Sequence, residues 1–105
     1  MKVITICGSL KFKDEMMKVA WQMELAGNTV LIPIFPINKE KDSFTEEELI
    51  MLGKMHEEKI KLSDAILVVN VNGYIGNSTK SEIEFAKSLN KEIIYYTDLI
   101  EKRSI

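Results

Sequence analysis

Apolar and polar positions change period repeatedly along this chain. Val3–Cys7 is a short apolar run rich in β-branched residues, which predicts a buried strand, and Gly8-Ser9 breaks it. From Phe12 onward the apolar positions Phe12, Met16, Val19, Ala20 and Met23 recur at helical spacing, and Gly27-Asn28 supplies the stop. Thr29–Ile32 predicts a second strand. Pro33 and Pro36 then force a loop, and the connection Pro33–Ser43 is long enough to serve as a flap over a site. A second helix is expected from about Phe44 to Leu62, with Ser43 and Glu46, or Thr45 and Glu48, as its capping box. Ala65–Val71 is the most apolar run and reads as a central strand, followed by the glycine-containing loop Gly73–Thr79. A third helix over about Lys80–Leu89, a strand over Glu92–Tyr96 and a final helical turn within Asp98–Ile105 complete the pattern.

The order is therefore βαβαβαβ. Such alternation implies a parallel sheet with helices on both faces, an α/β three-layer, Rossmann-like domain. Right-handed crossovers favour a doubly wound sheet of about four strands in the order 2-1-3-4. In open sheets of this kind ligands bind beyond the carboxyl ends of the strands, where the strand order reverses. Here that point lies between the first and third strands. The loops Gly8–Lys11 and Asn70–Thr79 meet there, each leading into a helix N-terminus.

Composition narrows the partners. The 105 residues fit one domain, and 46% hydrophobic with 29% charged residues is ordinary for a globular one. A net charge of −2 argues against a nucleic-acid polymer, which demands a basic stripe. Lys11 and Lys13 are the basic residues that sit together near a promising loop, so a small anionic metabolite suits the chain better. Cys7 is the sole cysteine, which leaves no intrachain disulfide and no CxxC metal pair, and the sole histidine, His56, is too few for a zinc site. The N-terminus runs directly into a strand pattern, without the shape of a signal peptide, and no apolar run reaches membrane-spanning length. A cytoplasmic location is the expectation. So small a domain is also expected to complete its pocket as a homodimer or larger homo-oligomer.

The candidate chemistry follows from the switch point. Glycine lets backbone approach a phosphate closely, and helix-end N–H groups with serine or threonine hydroxyls bind anions. Gly8 and Ser9 in one loop, and Gly76, Ser78, Thr79 and Ser81 in the other, have that character. Turn formation and helix capping account for the same residues without a ligand. Lys11 adds a cation, and Tyr74 at a loop tip suits stacking on a base. Thr79-x-x-Glu82 reads as a capping box, so Glu82 has a structural explanation as well as a chemical one. A lone helical histidine such as His56 is more often a surface residue than a catalyst, and Asp64, at the amino end of the third strand, suits a cap or turn. The chain has neither GxGxxG nor GxxxxGK[ST], which argues against a dinucleotide site and a triphosphatase. The loops also lack an aromatic pair to bracket a flavin ring. No cofactor and no metal are expected.

Ile6-Cys7-Gly8-Ser9, Ser63-Asp64-Ala65-Ile66-Leu67-Val68-Val69, the glycine-containing loop, Ser81-Glu82-Ile83-Glu84-Phe85-Ala86 and Asn90-Lys91-Glu92-Ile93-Ile94, taken in order, resemble the nucleoside 2-deoxyribosyltransferase family, in particular its deoxynucleoside 5′-monophosphate N-glycosidase branch. The resemblance implies a flavodoxin-like fold and cleavage or transfer at the N-glycosidic bond of a nucleoside or nucleotide. It implies Glu82 as nucleophile, Gly8 and Ser9 lining the nucleotide site, and Ser78 and Thr79 at the phosphate. Three departures stand out. The family carries an aspartate eight residues before the position of Asp64, where this chain has His56. Lys80 and Ser81 precede Glu82 in place of glycine, and the family often has more chain after the last strand. His56 would replace the aspartate as proton donor to the leaving base. A non-catalytic nucleotide-binding module of the same fold is the alternative.

Overall fold

The computed structural model describes residues 1–35 and 44–103, with side chains to residue 100. Much of the Pro33–Ser43 connection, with Pro36 and the Ser43–Glu46 capping alternative, lies outside the described residues. Four strands, β1 (Val3–Cys7), β2 (Thr29–Leu31), β3 (Ala65–Val68) and β4 (Glu92–Tyr95), form one all-parallel sheet in the order β2-β1-β3-β4. This is the order expected from the sequence. In the register, Ile4 lies opposite Val30 and Ala65, Cys7 opposite Val68, and Val68 opposite Tyr95.

Four helices cover the sheet: α1 (Lys13–Leu25), α2 (Glu46–Leu62), α3 (Asn77–Ser88) and α4 (Tyr96–Arg103). Strand alternation divides the core. Ile4, Ile6, Ala65, Leu67 and Val69 face one side, packed with Met16, Val19 and Ala20 of α1 and with Leu99 of α4. Cys7, Ile66 and Val68 face the other, packed with Ile60 of α2 and with Ile83 and Ala86 of α3.

Local signals explain the boundaries. Thr45 caps α2 through the reciprocal box, with Glu48 N–H donating to its hydroxyl at 3.1 Å and Thr45 N–H donating to the Glu48 carboxylate at 2.9 Å. Gly27 ends α1 at φ +94°, where a left-handed residue lets the Gly27 and Asn28 N–H groups reach the Glu24 and Met23 carbonyls. Val3 and Asp64 are pinned together: Val3 N–H donates to the Asp64 carboxylate and Asp64 N–H to the Val3 carbonyl, both at 2.8 Å. Asp64 thus has a structural role, tying the amino ends of β1 and β3 together.

Several boundaries differ from those expected, three of them close to the carboxyl end of the sheet. The central strand ends at Val68, because the chain then turns through a short 3-10 segment at Val71–Gly73. The C-terminal helix begins at Tyr96 and runs for eight residues; the Asn70 amide ties it to the end of β3, donating to the Thr97 hydroxyl at 3.1 Å and accepting from Thr97 N–H at 3.2 Å. The largest difference is in α3, which starts at Asn77 and not at Lys80. Thr79 is buried on the same stripe as Ile83 and Ala86, so its methyl group serves as the first apolar position of the helix.

Candidate functional site

The earlier start of α3 changes the role of its first residues. Gly76 is the N-cap, in extended conformation, and no side chain caps the helix. Thr79 lies inside the first turn, so the Thr79–Glu82 capping box expected from the sequence does not form. Glu82 is instead in the second turn, released from any capping duty. Ser78 is exposed in the first turn, whereas Ser81 donates its hydroxyl back to the Asn77 carbonyl at 3.3 Å. Of the anion site expected from the sequence, the N–H end of α3, which no side chain caps, and the exposed Ser78 hydroxyl remain as candidate elements.

The two switch-point loops do meet. The Lys11 ammonium sits 3.4 Å from the centre of the Tyr74 ring, and Phe12 packs edge-on against that ring at 5.8 Å. Tyr74 also covers the cap of α3, since a side chain at Gly76 would meet its hydroxyl at 3.5 Å. The Tyr74 face read from the sequence as a stacking surface therefore already carries Lys11. Gly8 stands where β1 and β3 leave the sheet side by side. A Cβ there would lie 3.1 Å from the Val69 carbonyl oxygen and 2.8 Å from the end of Met16, so its lack of a side chain lets β1 and β3 leave the sheet close together. Ser9 is the N-cap of the Leu10–Phe12 turn, accepting from Lys11 N–H at 3.4 Å.

His56 is turned toward Glu82 and is not the surface residue that a lone helical histidine more often is. It projects from the penultimate turns of α2 with a side chain only 12% exposed, and its Nε2 lies 3.5 Å from Oε1 of Glu82, whose side chain is 25% exposed. The two form an ion pair whenever the imidazole is protonated. The same Nε2 is 3.4 Å from the Cys7 Sγ at the carboxyl end of β1. Three elements thus bring Cys7, His56 and Glu82 to one point, with their ligand atoms within 4.8 Å of one another. Glu57 and Glu58, the neighbouring carboxylates on α2, are exposed, and Glu58 pairs with Lys61 at 3.1 Å. They leave the partnership with Glu82 to His56.

Cys7 was the residue sequence reasoning passed over. It figures in the sequence as an unpaired thiol and as one position of Ile6-Cys7-Gly8-Ser9, without a chemical role, although it ends the strand at the switch point and shares a strand face with Thr5. Burial pushes its thiol well above the ordinary cysteine range, and the negative charge of Glu82 and a hydrogen bond to that carboxylate push in the same direction. A neutral thiol beside the carboxylate acts as a weak donor that holds Glu82 in place. Shallow depressions on the α1 side of the sheet, one lined by Val19, Met23, Tyr96 and Leu99 and one by Met17, Trp21 and Val30, include none of these three residues. The sequence matches no family model and no curated protein.

Proposed function

We propose that this protein breaks the N-glycosidic bond of a deoxynucleoside or its 5′-monophosphate, with Glu82 as nucleophile. The observation that carries the reading is the 3.5 Å approach of His56 Nε2 to Glu82 Oε1 at the carboxyl end of the sheet. A carboxylate and an imidazole so placed suit the two halves of the reaction. A Glu82 oxygen attacks C1′, a bond forms between them, and the C1′–N bond breaks with its electron pair leaving on the base. Protonated His56 supplies the proton that the base takes up. Water or a second base then attacks C1′ and frees the carboxylate, and the imidazole accepts the proton of the attacking group. The free N–H end of α3, Ser78 and Lys11 would hold the phosphate.

The substrate class is that of cytoplasmic metabolites, and the protein is proposed to work there as a homo-oligomer. Leu49, Ile50, Met51, Leu52 and Met55 of α2 are 39–55% exposed, an apolar surface suited to a second copy of the chain. Sedimentation as a dimer or larger species would support that assembly. The reaction is tested by incubating the protein with each deoxynucleoside and its monophosphate. Free base is expected, and Glu82→Ala should abolish its release. Nucleotide-dependent thermal stabilisation that survives Glu82→Ala, without release of base, would replace this reading with that of a binding module.

A further inference from the structure

We propose that Cys7, His56 and Glu82 form a binding site for a zinc-like divalent cation. The inference rests on the placement of the three residues and holds whether or not they act on a glycosidic bond. Among the described residues no other group of three or more histidine, cysteine or acidic side chains converges in this way. Zinc bonds of about 2.3 Å to sulfur and about 2.0 Å to nitrogen or oxygen put tetrahedral ligand atoms roughly 3.3–3.6 Å apart. The observed separations are 3.4 Å from sulfur to nitrogen and 3.5 Å from nitrogen to oxygen. Two edges of the coordination triangle therefore have metal-site dimensions already.

The donor set selects the ion. A thiolate with an imidazole favours zinc and other soft or borderline cations over magnesium and calcium, which prefer oxygen alone. Three protein ligands leave a fourth position for water, as in open zinc sites. The ligands come from β1, α2 and α3, so they are held by the sheet and by two helices packed on it. Binding exchanges one bond for another at Cys7: the S–H bond breaks, the sulfur–zinc bond forms, and the proton passes to buffer. Occupation also engages the Glu82 oxygen that would attack C1′. Zinc is therefore an inhibitor of the proposed reaction, not a participant in it.

Untagged protein is dialysed against zinc ion and, separately, titrated with cobalt(II), with no nucleotide present. One zinc per chain is expected, together with a near-ultraviolet thiolate-to-cobalt charge-transfer band. Cys7→Ser should remove that band, and both Cys7→Ser and His56→Gln should weaken zinc binding by more than the roughly 10–100-fold that loss of an outer-shell partner alone costs. His56→Gln changes a partly exposed residue and keeps the test open if Cys7→Ser does not fold. No zinc uptake by the wild type, or uptake that is undiminished in the folded variants, overturns the site. These readouts need no turnover, so a failure of the glycosidase reading is separable. Where base is released, zinc should suppress it and a chelator should restore it.

Discussion

The two faces of β1 differ in kind. Ile4 and Ile6 point to the α1 side, in an apolar cluster with Met16, Val19 and Leu67. Thr5 and Cys7, alternating with them, point to the α2–α3 side and meet polar ones. The Thr5 hydroxyl donates to the Lys59 carbonyl at 3.0 Å and shares a hydrogen bond with the Ser63 hydroxyl, while Cys7 meets His56 and Glu82. One face is filled by packing alone, where volume decides stability. On the other, Thr5, Ser63 and Cys7 are buried with polar partners, and at the carboxyl end those partners are the partly exposed His56 and Glu82. The difference teaches that a single strand can serve as a stability element on one side and as a site-building element on the other.

The largest expected effect tests the second face. His56→Gln preserves much of the side-chain volume and removes the titrating group, so release of base should fall by about 10²–10⁴-fold. The melting temperature should change little. Steady-state assays beside thermal unfolding measure both. A variant that loses stability and keeps turnover would reverse the assignment of roles to the two faces.

Ile6→Ala tests the first face. Ile6 is fully buried, and truncation there leaves a cavity against α1 that costs about 2–5 kcal/mol. Chemical denaturation should show the midpoint fall at unchanged slope. Below the unfolding transition, turnover per folded molecule should stay near that of the wild type, because the Ile6 side chain points away from Glu82.

The legibility of the molecule follows the same division. Strand order was readable because short apolar runs alternate with helical periodicity, and right-handed crossovers leave few ways to arrange them. The switch point, and with it the region of the candidate site, came from that topology. The start of α3 was not readable from polarity, because Thr79 contributes its methyl group to the buried stripe. That error made Glu82 look like a capping residue. Cys7 and His56 are 49 positions apart, and their contact is a tertiary fact. The alternation Ile4, Thr5, Ile6, Cys7 gave half of the signal, by placing Cys7 on one face. The phase of α2 against that face was needed for the other half, and its apolar residues are spread too widely around the helix to set it: Leu49, Ile50, Met51 and Leu52 are consecutive and all exposed.

The smallest effect expected is a pH dependence that belongs to the site face alone. Burial and Glu82 hold the Cys7 thiol above its usual range in the folded protein. An unfolded cysteine loses its proton near pH 8.5. Above that value the unfolded chain binds fewer protons at Cys7 than the folded one, so the contribution of this thiol to stability falls as pH rises. It is fully present below about pH 8 and declines by up to about 1.4 kcal/mol per pH unit above pH 8.5, until the folded thiol itself ionises. Lysines and tyrosines titrate in the same window, so the comparison is with Cys7→Ala. Denaturation at pH 7.5 and pH 9.5 should show a larger loss in the wild type than in the variant, by roughly 1.4 kcal/mol. Ile6→Ala should leave that difference intact. Equal losses in the wild type and in Cys7→Ala would mean that the thiol ionises as freely in the fold as outside it, and the site face would then be as open to water as the exposed ends of its helices.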